Sequence, residues 1–579
     1  MRRWSEVTER VAATTRTSEK TAILAAYLAG LPPDALPIAA VFLTGRPFPA
    51  ADQRSIGIGW AGLAGVVLSI AGRDADALRD AYDRSSDLST AVTDVLADAG
   101  HAPDPAGEPS VVEARAAFDA IEAASGAAAK AALLAPLLAR SSPRTAGAIV
   151  KVLSGELRIG LREGLLEAAI ARAFDRPLEA VKRAGMLTGD VGRTATLARE
   201  DRLHEAAMTL FHPLKFMLAS PAEDAAEIMA RLGPTVWVED KYDGIRAQLH
   251  RRGGEVCLYS RDLHDISGQF PEVVEGARDL AWSGILDGEL LAWKDGVVLP
   301  FLQLQARLGR KAPSAAIRAE VPVIYVAWDV LGLDRDGDAM VAPLLEMPLA
   351  ERRSVLEGLA LPLAADGGRF GLSHLGSVTS VDGLEAAFAE ARARRNEGLM
   401  VKDPDSRYTP GRRGLGWLKM KKALATLDCV VVGVEVGHGK RHGVLSDYTF
   451  AVRDEATGSL VTIGKAYSGL TDAEIAEMTR WFEDHTVSVH GRYRAVEPAV
   501  VVEVAFDVIM RSTRHRSGFA LRFPRIANLR RDKPVDEIDT LATVERLYEG
   551  LQHGAEHLVT ASARSSAAAG RERAGPSDG

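Results

Sequence analysis

Cysteine is nearly absent: Cys257 and Cys429 are the only two in 579 residues, and they lie far apart with no CxxC partner. Neither a disulfide framework nor a cysteine-based structural zinc site can be built from them. Both are expected as small core residues. Long apolar runs are missing too. The best candidate, Ala61 to Ala71 (AGLAGVVLSIA), is broken by glycine and falls short of the roughly 20 residues a bilayer crossing needs. The opening MRRWSEVTER has no apolar core and no small-residue cleavage site, so no secretory signal is visible, and a cytoplasmic location away from membranes is expected. Excess positive charge is also absent. With 70 basic and 78 acidic residues the net charge is -8, which argues against nonspecific coating of nucleic acid but leaves a local basic groove open. No internal repeat is visible.

What is present is ordinary globular composition, 47% hydrophobic and 26% charged. The length exceeds what one core supports, so two or three domains are expected. Up to about Glu200 the chain is rich in Ala and Leu at helical spacing. Thr17-Ser18-Glu19 ahead of Ile23, Leu24, Tyr27 and Leu28 predicts a capped helix that stops at Gly30 and Pro32. Further helices are predicted at Val111–Ala124, Ala127–Ala139, Arg144–Val152 and Leu161–Ala173, with an exposed loop from Gly100 to Pro109. Beyond His212 the texture turns to short strands with helices between: Thr235–Glu239, Ile245–Arg251, Val256–Ser260, Gly284–Trp293, Val323–Val330 and Gly398–Lys402. After Lys422, strands at Asp428–Val436, Tyr448–Arg453, Leu460–Lys465 and Val500–Phe506 predict a small barrel. The expected fold is therefore multi-domain: an all-α domain over 1–205, an α+β domain over 206–424, and a β-barrel over 425–553. A tail over 554–579 has too little apolar bulk to fold.

The sharpest local signal is Glu239-Asp-Lys-Tyr-Asp-Gly-Ile-Arg246, between two predicted strands. A lysine in such a connection can stand at the mouth of a cleft, and lysine is a nucleophile once its amine is deprotonated, which burial and neighbouring cations favour. Gly244 permits close backbone approach, and Arg246 supplies a fixed cation suited to phosphate. Taken alone, the octapeptide is equally consistent with an exposed turn. Other segments follow it in order: Leu258-Tyr-Ser-Arg261, Asp287-Gly-Glu289, Val326-Ala-Trp328-Asp329, Glu397-Gly-Leu-Met-Val-Lys402, and Arg413-Gly-Leu-Gly-Trp-Leu-Lys419-Met-Lys421. Strand alternation puts Lys419 and Lys421 on one face, where two cations can converge on an anion; a solvated strand edge is the bland alternative. Arg511 to Lys533 is dense in arginine, with Leu521-Arg-Phe-Pro-Arg525 and Arg530-Arg-Asp-Lys533 as its core.

Together these segments resemble the ATP-dependent DNA ligases of the covalent nucleotidyltransferase superfamily, over nearly the whole chain. The resemblance implies a helical DNA-binding domain, a nucleotidyltransferase (adenylation) domain and an OB-fold barrel. It implies that Lys241 carries AMP, with Glu239 and Arg246 in the nucleotide pocket. Arg261 contacts the nucleotide, Glu289 binds the ribose, and Trp328 stacks on adenine where the family usually has Phe. Glu397 is a metal-associated carboxylate, and Arg413, Lys419 and Lys421 reach the phosphates. Arg525, Arg530 and Lys533 orient the pyrophosphate; Asn528 stands where many relatives have arginine, which puts in doubt only the full strength of that clamp. ATP and Mg²⁺ are implied, the latter near Glu289 and Glu397.

Ser154-Gly-Glu-Leu-Arg158-Ile-Gly-Leu-Arg162 resembles a signature of the DNA-binding domain in three-domain archaeal and eukaryotic ligases, so Arg158 and Arg162 are expected on DNA phosphates; a plain helix-to-helix turn explains its glycines nearly as well. The expected partner is nicked duplex DNA, gripped by a monomer that closes around it on a hinge near Lys422 to Asp428. RNA ligases and capping guanylyltransferases share the lysine chemistry but lack the long helical region, and NAD-dependent relatives carry a four-cysteine zinc module. A nonenzymatic DNA clamp is the alternative from another class, and such a chain is expected to lose Lys241 or its cationic partners.

Overall fold

A computed structural model describes residues 1–552 apart from 86, 156, 223, 295, 300, 311, 335–339, 395, 421–424, 438–440 and 442. Lys421, the tail 554–579 and the first part of the expected hinge therefore lie outside the described residues. The chain divides into two compact units, Met1–Lys421 and Lys422–Gly579.

The Ala/Leu periodicity of the first 200 residues becomes a succession of helices from Arg2–Ala13 to Val191–Arg199. Their apolar stripes meet in one core, in which Trp4, Leu24, Phe42, Phe118, Leu138, Ile149 and Ile170 are fully buried. Helix Val111–Ala123 is started by a capping box in which Ser110 and Glu113 satisfy each other's backbone. One expectation fails in detail. Helix Thr17–Ala29 already includes Thr17 and begins at Arg16 without a side-chain cap, so the Thr17 and Ser18 hydroxyls do not cap it; Glu19 accepts instead from the Thr14 hydroxyl at 2.7 Å. No helix among the described residues is long and apolar enough to cross a membrane.

Six strands of this unit bear on the site: β1 (Val236–Lys241), β2 (Ile245–Arg252), β3 (Ser283–Lys294), β4 (Val323–Asp334), β5 (Gly398–Lys402) and β6 (Arg413–Met420). One sheet runs Leu375–Val378, β1, β5, β6, Leu218–Ala222, and a second contains Glu255–Ser260, β2, β3 and β4 as neighbours. In the first sheet Glu239 lies opposite Met400 and Met400 opposite Lys419, while Lys402 lies opposite both Trp237 and Trp417. Alternation then sends Val236, Val238, Leu399, Val401, Leu418 and Met420 to the other face, where they form a core with Leu384 and Phe388 of helix Val381–Ala393. The second sheet pairs Arg246 with Glu289 and Gln248 with Asp287. Between the pairs Asp287/Asp329 and Gly288/Ala327 the register slips, leaving Trp328 as the extra residue of a β-bulge.

The second unit is the expected small barrel. Strand Ala425–Val436 is bent by two register shifts and pairs on one side with Leu445–Arg453, on the other first with Val501–Phe506 and then with Tyr493–Val496. Val501–Phe506 pairs onward with Arg525–Leu529, whose Ile526 amide reaches the Ser468 carbonyl and draws the sheet toward closure. The core holds Leu427, Cys429, Val431, Phe450, Ile463 and Val504. Helices Asp472–Asp484 and Leu541–Gln552 are additions to the expected strands. Cys429 is buried as expected, whereas Cys257 is only partly so.

Candidate active site

Lys241 is the last residue of β1, one step earlier than a connecting loop position. The turn to β2 is tight. A Cβ added to Gly244 would meet the Leu290 carbonyl at 2.5 Å and the Glu289 Cγ at 2.7 Å, so only glycine lets this turn lie against β3. The Lys241 ammonium is paired with the Glu397 carboxylate, and the Lys241 carbonyl accepts from the Glu397 amide at 2.8 Å. Both side chains are partly open to solvent.

Around this pair the cations are matched by acids. Arg246 donates through two nitrogens to Asp287, at 2.7 and 3.1 Å, and through a third to the Met217 carbonyl at 2.7 Å. Its guanidinium lies 4.8 Å from the Phe216 ring and 5.4 Å from the Trp328 ring. Asp287 is wholly buried and also accepts from the Tyr408 hydroxyl at 2.7 Å. Lys402 and Glu239, both almost entirely buried, pair at 2.6 Å, and the ammonium sits 4.3 Å from the Trp417 ring and 5.8 Å from Trp328. Lys241, Arg246 and Lys402 are therefore held in neutralised pairs, because unpaired cations this far from water are too costly.

Glu289 is the exception. Burial pushes its carboxyl up to about 8; Asp287 and Glu397 add to that, against the pull of Lys241 and Arg246. Shifts of this kind cluster at functional sites. Among the described residues no group of three or more His, Cys, Asp and Glu is gathered to hold a metal by protein atoms alone.

The remaining expected residues divide into those on the sheets around this pair and those elsewhere. Trp328, re-aimed by its bulge, is half-buried and packs against the same core as Trp237 and Met400. Lys419 is half-buried on the β6 face shared with Glu239 and Lys402. Arg413 is exposed at the start of β6, and Arg261 is exposed in the turn after strand Glu255–Ser260. Glu239 is engaged by Lys402 through one carboxylate oxygen. In the second unit Arg530 and Lys533 both bind Asp428, at 3.0 and 2.6 Å, Arg525 pairs with Asp507 at 3.3 Å, and Asn528 donates to Glu503 at 2.6 Å. Arg158 and Arg162 are exposed beside helix ends, Arg158 with a left-handed backbone (φ 46°) between Gly155 and Gly160, which share that conformation.

Asp287, Lys402 and Tyr408 join the site without a role that the sequence motifs foretell. The signal for Asp287 is its position two residues before Glu289 on one strand face. Nothing local marks Tyr408, which reaches Asp287 from 121 positions away.

The chain matches three family models in order: DNA ligase N terminus over 1–171, ATP dependent DNA ligase domain over 216–421, and ATP dependent DNA ligase C terminal region over 441–533. A probable DNA ligase of Koribacter versatilis is 46% identical across 95% of this chain and 96% of its own length. Another from Opitutus terrae is 44% identical across 94% of this chain, which spans 62% of that longer relative. The solved structure described as Pmar-Lig_PreS3 superposes with a TM-score of 0.58 over 91% of this chain and 99% of its own, at 16% identity, a likeness of fold alone. The chain belongs to the ATP-dependent DNA ligases.

Proposed function

We propose that this ligase seals nicks in duplex DNA through AMP carried on Lys241. The Lys241 amine, having given up its proton, attacks the α-phosphorus of ATP; an N–P bond forms, the bond to the bridging oxygen breaks, and pyrophosphate leaves. Covalent storage splits one hard condensation into easier steps. AMP then passes to the 5′-phosphate of the nick, and the neighbouring 3′-hydroxyl displaces it. The observation that carries this reading is the meeting of Lys241 and Glu397 beside a carboxyl whose pKa is raised to about 8. Glu397 holds the amine in place until a triphosphate arrives, Arg246 and Lys419 supply cations, and Trp328 offers a π face to the base. Arg261 and Arg413 reach the nucleotide from the rim. Arg525, Arg530 and Lys533 act on the pyrophosphate after exchanging their carboxylate partners.

Mg²⁺ would be held by Glu397, and by Glu289 once its raised carboxyl has given up its proton, together with substrate phosphates; when bound it would neutralise charge growing on phosphoryl oxygens. The modules are taken as 1–205 for DNA binding, 206–424 for adenylation and 425–553 for the barrel. The enzyme works as a cytoplasmic monomer in DNA repair, replication and recombination.

Incubation with α-labelled ATP, GTP or NAD tests the reading. Label is expected only from ATP, and Lys241→Ala is expected to abolish it while nicked-duplex binding persists; sealing by that variant would remove Lys241 from its role. Parallel sealing of DNA and RNA-containing nicks fixes the polynucleotide.

A further inference from the structure

Gln53 belongs to the helical region, in the segment between helices Ala35–Phe42 and Trp60–Ala71, yet its amide is spent on the adenylation region. Its Nε2 donates to the Leu263 carbonyl at 2.6 Å and to the Ala51 carbonyl at 3.1 Å, and its Oε1 accepts from the Asp265 amide at 2.7 Å. One side chain thus supplies the donor and acceptor that a neighbouring strand would offer. The peptide it grips is the turn bearing Arg261. That turn is closed by the Leu263 amide on the Ser260 carbonyl (2.8 Å) and the Ser260 amide on the His264 carbonyl (2.9 Å). Leu263 holds a left-handed backbone, φ 65°, which a branched side chain adopts only when its surroundings enforce it.

The grip is firmly based. Arg54, next to Gln53, pairs with Asp52 and with Asp119, each at 2.7 Å, and lies 4.3 Å from the Phe48 ring, against which Arg115 also packs. Helical and adenylation regions meet again at Glu163 with Lys215 (2.6 Å) and Glu167 with Arg412 (2.7 Å). Gln53 is therefore held from behind by its own domain, and it transmits that placement to a turn whose conformation is not its own preference.

We infer that Gln53 is a positioning residue for nucleotide transfer: by fixing the turn at Leu263 and Asp265 it sets the reach of Arg261, so that the helical region completes the nucleotide site as well as serving DNA. This role rests on the proposed engagement of Arg261 with the nucleotide.

The test is self-adenylation of the full chain as a function of ATP for the parent, Gln53→Ala, Arg261→Ala and the double variant. Gln53→Glu serves as a second probe, because it keeps the acceptor while setting a carboxylate against the Leu263 carbonyl. Loss of the amide grip is expected to raise the ATP concentration at half-maximal rate roughly fivefold, the equivalent of one hydrogen bond, with the maximal rate little changed. The double variant is expected to be no worse than Arg261→Ala, since both changes break one chain of contacts. Multiplying effects, or an unchanged half-saturation in both Gln53 variants while Arg261→Ala is impaired, would overturn the role of Gln53 alone. An Arg261→Ala variant with the parent's ATP dependence would overturn the arginine assignment and this inference together.

Discussion

Lys402 is among the largest fully buried side chains of the molecule, an ammonium enclosed by Trp417, Trp328 and the Glu239 carboxylate. Removing one member of such a pair strands the other charge without water. Lys402→Met is accordingly expected to cost about 3 kcal/mol of folding stability in denaturant titration, more than a change at an exposed lysine. Glu289 makes the opposite case. Its folded pKa is raised, so the stability contributed by the neutral acid is fully present below about 4.5 and is lost as pH rises through about 8. Glu289→Gln is therefore expected to raise the thermal midpoint of the nucleotide-free protein at pH 8.5 and to leave it nearly unchanged at pH 4. The same variant is expected to adenylate roughly a hundredfold more slowly. A midpoint that moved equally at both pH values would mean that the carboxyl is not held neutral.

At the level of elements, the turn from β1 to β2 carries the strictest demand. Gly244→Ala forces a methyl against the Leu290 carbonyl, so the turn must lift off β3 and take Lys241 with it. A displacement of about 1 Å is expected to slow single-turnover adenylation roughly a hundredfold while the folded state survives. Much of this level is legible in the sequence. Period-two apolar runs locate β5 at its observed bounds and β1 to β4 to within four residues, because alternation is imposed by burial of one sheet face; β6 is known beforehand only as a motif. Pairing between strands is not legible, since Met400 facing both Glu239 and Lys419 depends on residues distant along the chain. The same limit explains the site: Lys241, Arg246, Glu289 and Glu397 can be named from their motifs, whereas the hold of Lys402 on Glu239 requires β1 and β5 to pair, and that of Tyr408 on Asp287 requires a residue 121 positions away to reach β3. Helix Asp472–Asp484 lies outside the expected elements although its capping box, Thr471 with Glu474, is written in the sequence.

For the whole molecule, net charge of -8 and a DNA substrate are reconciled only if basic residues are concentrated locally. Arg158 and Arg162 are the test within the helical region. Replacing either with alanine is expected to weaken nicked-duplex binding without altering ATP-dependent labelling, and to reduce the slope of log affinity against log salt by about 1 for each phosphate no longer neutralised. An unchanged slope would make that segment a simple interhelical turn. In the barrel unit, by contrast, Arg530 and Lys533 share Asp428, so their cost of engagement includes giving up that carboxylate.

The supernumerary residue at Trp328, one of two such slips in β4, has a reach beyond its own ring. Because the count of residues opposite Asp287 and Gly288 differs by one between the two strands, removal of Ala327 would bring Trp328 opposite Gly288 and swing the indole to the other side of the sheet. Chain length at that point is consequently as much a determinant of what the Trp328 ring can face as amino-acid identity, and deletion of Ala327 is expected to slow ATP-dependent labelling more than Trp328→Phe does.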